Sequence, residues 1–212
     1  MVKQISKYFS GKTIITFLAH PDDETLGCGG TLTRAIDDGA KVHCVIPVKR
    51  IEKQCYKALK KIGIKNIYWG NFDDNQMDKY PLLKVCKFLE KYLKNVIPDI
   101  LITHHYNCAN QDHRICYEAS SIVTRPIKNK IQLFSCEIPS STGYLRPTGF
   151  EPNFYISLTP KHLLTKIEAL KLYETELRKD RSPIVMDMLA RLRGAESGND
   201  FAEAFVLVRG YV

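Results

Sequence analysis

The chain alternates short runs of apolar, often β-branched residues with longer amphipathic stretches. Residues 13–19 (Thr-Ile-Ile-Thr-Phe-Leu-Ala) form an apolar run of strand length that ends at a proline-containing acidic turn, the pattern of a strand buried on both faces. A helix is predicted over 25–38, closed by Gly39. Residues 41–48 repeat the strand pattern and 52–62 the helix pattern, with Gly63 as its stop. A short strand at 66–69, a helix over 80–96 halted before Pro98, a strand at 99–103 and a helix over 113–124 continue the alternation. Repeated strand-helix-strand units of this length imply an α/β chain, 1–212 as one domain, with a mostly parallel sheet covered by helices on both faces. The last third is less regular. Strands are predicted at 131–137, 154–158 and 204–209, helices over 160–177 and 183–193, and the Pro/Gly/Ser-rich loop 139–152 reads as the wall of a site.

In a Rossmann-like open sheet of this kind, ligands bind beyond the carboxyl ends of the strands. Two predicted strands end there in metal-binding residue types. His20-Pro21-Asp22-Asp23-Glu24 follows the first, and a stretch from His104 and His105 to Asp112 and His113 follows the fourth. An imidazole and a carboxylate three residues apart on a turn, joined by an imidazole from another strand end, make a three-ligand set that leaves a tetrahedral zinc open to water. The set chosen is His20, Asp23 and His113. Asp22 would then face the water as general base, and Asp112 would orient a histidine from behind.

Each cluster taken alone has a plainer reading. Asp is common where helices start, because it caps free N–H groups. Glu24 reads as a first-turn dipole partner. Gly27-Cys28-Gly29-Gly30 lacks the spacing and the lysine of a phosphate-binding loop, and close packing of helix on sheet accounts for it. His43 and His162 read as structural, and Cys28, Cys108 and Cys116 as buried spectator thiols.

Composition narrows the partners. With 44% hydrophobic and 25% charged residues the chain is ordinarily globular, and no apolar run is long enough to span a bilayer or to serve as a cleavable signal. The net charge of +8 admits nucleic acid, a membrane surface or an anionic substrate. Most lysines, however, fall at helical spacing among apolar residues, as in 57–61 and 84–94, and so form a solvated face. No nucleic-acid partner is expected, because no helix-turn-helix or RNP-like signature accompanies the charge. Seven scattered cysteines without a CxxC pair argue against a disulfide framework and for a reducing, cytoplasmic setting.

The segment Ala19-His20-Pro21-Asp22-Asp23-Glu24 with Gly27-Cys28-Gly29-Gly30, and the later Asn110-Gln111-Asp112-His113-Arg114, resemble the two metal motifs of the PIG-L/LmbE family of zinc-dependent N-deacetylases. Similarity continues through Asp74-Asn75-Gln76-Met77-Asp78, Pro139-Ser140-Ser141-Thr142, Pro152-Asn153 and Ala202-Glu203-Ala204-Phe205. The resemblance implies zinc on His20, Asp23 and His113 and a general base at Asp22. It implies removal of an acetyl group from an N-acetylated amino sugar, with a saccharide or nucleotide-linked sugar as substrate. Other divalent metals suit the same ligands. The chain departs from the family where many members carry an oxyanion-steadying histidine three places before the last ligand, for Asn110 stands there. Either His104 or His105 substitutes, or zinc acts with a weaker partner. Arg50 and Asp74 fall where the family contacts substrate hydroxyl or phosphate groups; a surface ion pair is their other reading. Hydrolysis of a non-sugar amide and non-catalytic sugar binding are the alternative functions. The second has no need of Asp22 beside the ligands.

Overall fold

A computed structural model describes residues 7–211 of the protein. Seven strands, β1 (Thr13–Phe17), β2 (Lys41–Val48), β3 (Asn66–Phe72), β4 (Ile100–His104), β5 (Gln132–Cys136), β6 (Phe154–Ser157) and β7 (Ala202–Arg209), form one sheet in the order β3-β2-β1-β4-β5-β7-β6. The five strands from β3 to β5 are parallel, and β7 lies antiparallel between β5 and β6. The helices are α1 (Asp23–Asp37), α2 (Glu52–Ile62), α3 (Leu82–Asn95), α4 (Gln111–Val123), α5 (Pro160–Leu170) and α6 (Pro183–Ser197). None of them is long and apolar enough to cross a membrane.

Consecutive residues of a strand point to opposite faces, which divides the core in two. Ile14 packs with Leu26, Leu32, Leu59 and Leu170 of α1, α2 and α5 on one face. Ile15 and Phe17 pack with Val85, Leu89, Cys116 and Ala119 of α3 and α4 on the other. Each buried Val, Leu, Ile or Phe among these contributes about 1.5–3 kcal/mol relative to exposure. The chain steps from β1 outward to β2 and β3, then returns to the other side of β1 for β4. The order therefore reverses between β1 and β4. The crevice at their carboxyl ends is where a sheet of this kind binds ligands.

Helix α1 begins at Asp23, before the expected residue 25, and breaks at Cys28 (φ −148°). The break exposes amides that Glu203 of β7 satisfies, accepting from Gly30 N at 3.0 Å and Thr31 N at 2.6 Å. Lys166 of α5 completes the joint through Glu203 (2.6 Å) and the Leu26 carbonyl (2.8 Å). The glycines serve packing, as expected: a Cβ would lie 2.6 Å from Cys136 Sγ at Gly27 and 2.6 Å from Leu158 Cδ1 at Gly30.

Helix α5 ends at Leu170 and does not reach the expected residue 177. Tyr173 leaves the helical line because its phenol is buried and donates to the Glu24 carboxylate. The chain from 171 to 182 then runs past the start of α1, and a short 3-10 turn, Lys179–Arg181, precedes α6. Ser182 caps α6 through Val185 N at 3.3 Å, with Pro183 in its first turn.

Candidate active site

The turn after β1 is strained where the chemistry is densest. Asp22 has φ 108°, a rare conformation for a residue with a side chain. Its carbonyl receives Thr25 N and Leu26 N at 3.0 and 2.8 Å, so its backbone starts α1. Its side chain makes no cap bond. The plainer reading of this aspartate, as a helix cap, is therefore not the one realised. One carboxylate oxygen, Oδ2, accepts from Arg181 Nη1 at 2.8 Å. The other, Oδ1, is buried and has no partner among the described residues.

Beside it, His20 Nδ1, Asp23 Oδ2 and His113 Nε2 form a triangle with all three sides 3.2 Å. Ligand atoms at about 2.0 Å from a tetrahedral zinc would be separated by about 3.3 Å. The triangle thus fits a three-ligand metal site, and its members are all buried. The nitrogens that point away from it also have partners. His20 Nε2 meets Asp112 Oδ2 at 3.1 Å, and Asp112 is held in turn by Met77 N at 2.9 Å. His113 Nδ1 meets Cys108 Sγ at 3.0 Å. Asp112 thus meets His20 from the side away from the triangle.

Charge is concentrated here. Burial pushes both rings down, but hydrogen bonds to Asp112 and Asp23 hold His20 up to about 9. The charge of Asp23 and its hydrogen bond likewise hold His113 up to about 10 against burial. Asp23 is itself opposed by burial yet kept well below the carboxylate range by the charge and hydrogen bond of His113 and by its hydrogen bond with His20. Asp22 is raised well above that range by burial and by Asp23, with Arg181 pulling it back. Glu24 is pushed up to about 7 by burial, moderated by Tyr173.

The structure separates the two histidines at the end of β4. The His104 ring stacks on His113 (centroids 3.7 Å apart, 8° between planes), and its Nε2 accepts from Ala19 N at 2.8 Å. Burial and the neighbouring His113 hold it well below the usual histidine value, so it is neutral. His105 points elsewhere, packing on Tyr106 and Phe150, and its Nδ1 accepts from Asn107 N. Asn110 caps α4, its Oδ1 accepting from Asp112 N at 2.8 Å and its Nδ2 donating to Asn75. Arg50 and Asp74 pair at 2.8 Å at the mouth, where Asp74 Oδ1 also comes within 3.3 Å of His20 Nε2.

Three contributors went unmarked in the sequence, Arg181 on Asp22, Glu176 on Arg50 and Tyr173 on Glu24, while Cys108, read there as a buried spectator thiol, meets His113. Tyr173 and Glu176 lie in the stretch read as the end of a helix, and Arg181 in the gap before the next predicted one. The loop 139–152 does line the site, through Ser140 on Arg181 and Ser141 on Cys108.

A family model described as PIG-L, GlcNAc-PI de-N-acetylase, matches residues 15–50 and 47–123, which include the whole triangle. A protein of Escherichia coli (strain K12) described as uncharacterized deacetylase YaiS is 30% identical over 179 residues, 77% of this chain and 91% of its own length. The chain belongs to the PIG-L family, whose reaction class is hydrolytic, metal-dependent N-deacetylation. Among solved structures, the N,N'-diacetylchitobiose deacetylase of Pyrococcus horikoshii superposes with a TM-score of 0.73 at 20% identity, covering 92% of this chain and 82% of that one. A 4-carboxy-2-hydroxymuconate hydratase of Pseudomonas putida KT2440 superposes with a TM-score of 0.76 at 15% identity, over 95% and 98% of the two chains. Likeness at this level shows the fold, and a neighbour with hydratase chemistry leaves the activity to be argued from the site.

Proposed function

We propose that this protein is a zinc-dependent hydrolase that removes the acetyl group of an N-acetylated amino sugar or sugar conjugate, releasing acetate and the free amine. One observation carries the reading: the 3.2 Å triangle of His20, Asp23 and His113 lies directly beside a buried carboxylate, Asp22, with an uncommitted oxygen. Zinc held by the triangle supplies Lewis acidity toward a carbonyl and makes water acidic near neutral pH. Asp22 Oδ1 takes the proton of the attacking water and returns it to the leaving nitrogen, a transfer that needs no other group. Arg181 holds the opposite oxygen and keeps the carboxylate aimed. Asp112 fixes the ring of His20, while His104 braces both His113 and the turn at Ala19. Arg50 and Asp74, at the mouth, offer a guanidinium and a carboxylate to sugar hydroxyls or to the phosphate of a nucleotide-linked sugar.

The description of the E. coli relative supports a deacetylase, and the diacetylchitobiose named for the P. horikoshii structure supports a sugar substrate. The test is acetate release from a panel of N-acetylhexosamines, their oligosaccharides and nucleotide conjugates, with N-acetylated amino acids as non-sugar amides. Zinc-stimulated release from a sugar member is expected. Release from the non-sugar amides alone, or tight binding without turnover, overturns the reading.

A further inference from the structure

We propose that Cys108 is a positioning residue for the metal site: its sulfur takes the Nδ1–H of His113 and turns the Nε2 lone pair of that ring into the triangle. The proposal rests on His113 being a ligand, as argued above. Cys108 and His113 are both fully buried, and Ser141 nearly so. Sγ lies 3.0 Å from His113 Nδ1, 3.2 Å from Ser141 Oγ and 3.7 Å from Thr142 Oγ1. A neutral thiol satisfies the two shorter contacts at once, accepting from the ring with a lone pair and donating S–H to Ser141 Oγ.

The consequence is the choice of tautomer. A neutral imidazole that gives its hydrogen at Nδ1 keeps a lone pair only at Nε2, and the bond made by the rear nitrogen decides which one faces a metal. His20 is treated the same way with the nitrogens exchanged: Asp112 takes Nε2 and leaves Nδ1 in the triangle. Two rings, one from the turn after β1 and one from the first turn of α4, thus present opposite nitrogens, each backed by its own partner.

The sulfur is placed by the backbone. Cys108 and Thr142 form an isolated antiparallel bridge, Ala109 N donates to Ser141 O at 2.8 Å, and Gly143 N donates to Asn107 O at 2.7 Å. Arg114 Nη1 holds the carbonyls of Cys108 and Ala109 at 2.6 and 2.8 Å. The loop after β4 is thereby stitched to the loop after β5 at the point where the thiol meets the ring. Among the described residues, no other cysteine is hydrogen-bonded to a member of the triangle.

The experiment measures zinc affinity by chelator competition for the wild type and for Cys108→Ala, Cys108→Ser, Cys108→Ala with Ser141→Ala, and His113→Ala. Loss of a partner behind a metal-ligating histidine typically weakens binding about 10- to 100-fold. Cys108→Ala should fall at the low end, because Ser141 Oγ stays 3.4 Å from Nδ1 and takes over part of the contact. The double variant should fall toward the high end, and Cys108→Ser should recover most of the affinity. Nitrogen NMR of the zinc-loaded wild type needs no variant and should find the hydrogen of His113 on Nδ1. Wild-type zinc affinity in the double variant, or a His113 without hydrogen on Nδ1, overturns the proposal. Undiminished zinc binding by His113→Ala would instead overturn the metal site itself, so the two failures are distinct.

Discussion

Replacing Arg181 with Ala removes the charge that faces the proposed base. Asp22 is almost wholly buried, and Arg181 Nη1 at 2.8 Å is the only cation bonded to it among the described residues. With charge centres about 4 Å apart and an effective dielectric near 20, the attraction is roughly 4 kcal/mol. The Arg181 side chain is 14% exposed, so water would enter behind the substitution. If that water restores about half, roughly 2 kcal/mol is lost, or about 30-fold in the ionised fraction of Asp22. Only the ionised form accepts a proton. Losing a positive neighbour raises the pKa of a carboxylate, so the acid limb of the pH–rate profile should move to higher pH. The deficit in kcat/KM should be greatest in acid and shrink as pH rises. Metal content should stay at the wild-type level, since Arg181 touches no member of the triangle. Arg181→Lys keeps the charge but forgoes the bond to Ser140, and should lose less. An Arg181→Ala enzyme with wild-type kcat/KM and an unmoved acid limb would mean that Arg181 does not hold Asp22 ionised.

The other predictions concern the braces around the site. His104→Ala removes the ring stacked on His113 and the acceptor of Ala19 N, and should weaken metal binding or kcat about tenfold or more. His105→Ala should leave kcat within a few-fold and show instead as lost stability in denaturant, on the order of 1–3 kcal/mol; equal kinetic losses in the two variants would contradict the assignment. Lys166→Met strands the buried Glu203 carboxylate and should cost about 3–5 kcal/mol, read as a fall in Tm of roughly 6–20 °C for a chain of this size. A change of under about 1 kcal/mol would mean that the joint at the break of α1 is not supported by that ion pair. Finally, His20 at about 9 and His113 at about 10 are protonated at neutral pH when no cation is bound. Zinc can take the facing nitrogens, 3.2 Å apart, only once they have given up their hydrogens, so its uptake should release about one to two protons and tighten as pH rises. Calorimetry in buffers of different ionisation enthalpy measures that release, and none at neutral pH would count against the ligand set.

The strands and helices of the parallel half are legible in the sequence because their signals are local: β-branched runs, amphipathic spacing, and Gly39 and Gly63 as stops. The place of β7 between β5 and β6 is not legible, since it is decided by pairing between segments far apart in the chain. Residues Leu170, Tyr173 and Leu177 keep helical spacing, yet the helix stops because the Tyr173 phenol finds Glu24. The same division runs through the site. His20, Asp23 and His113 stand out because two strand ends carry them in short motifs. Cys108 and Arg181 do not, because each acts through a single contact made across loops. In Asp74-Asn75-Gln76-Met77-Asp78 the likeness gives a task to Asp74 and none to the residues after it. The fold supplies one, as Met77 N holds Asp112 and Asn75 receives Asn110 and Gln111.

In the proposed mechanism the triangle holds the metal while Asp22 moves the proton. Asp22→Asn separates the two, because it keeps the shape of the side chain and removes the proton acceptor. Metal content and kcat, measured on the same preparation beside the wild type, should show one equivalent of zinc retained and kcat lower by about two to four orders of magnitude. Loss of the metal together with activity would make Asp22 a ligand, and zinc retained with undiminished kcat would remove it from the chemistry.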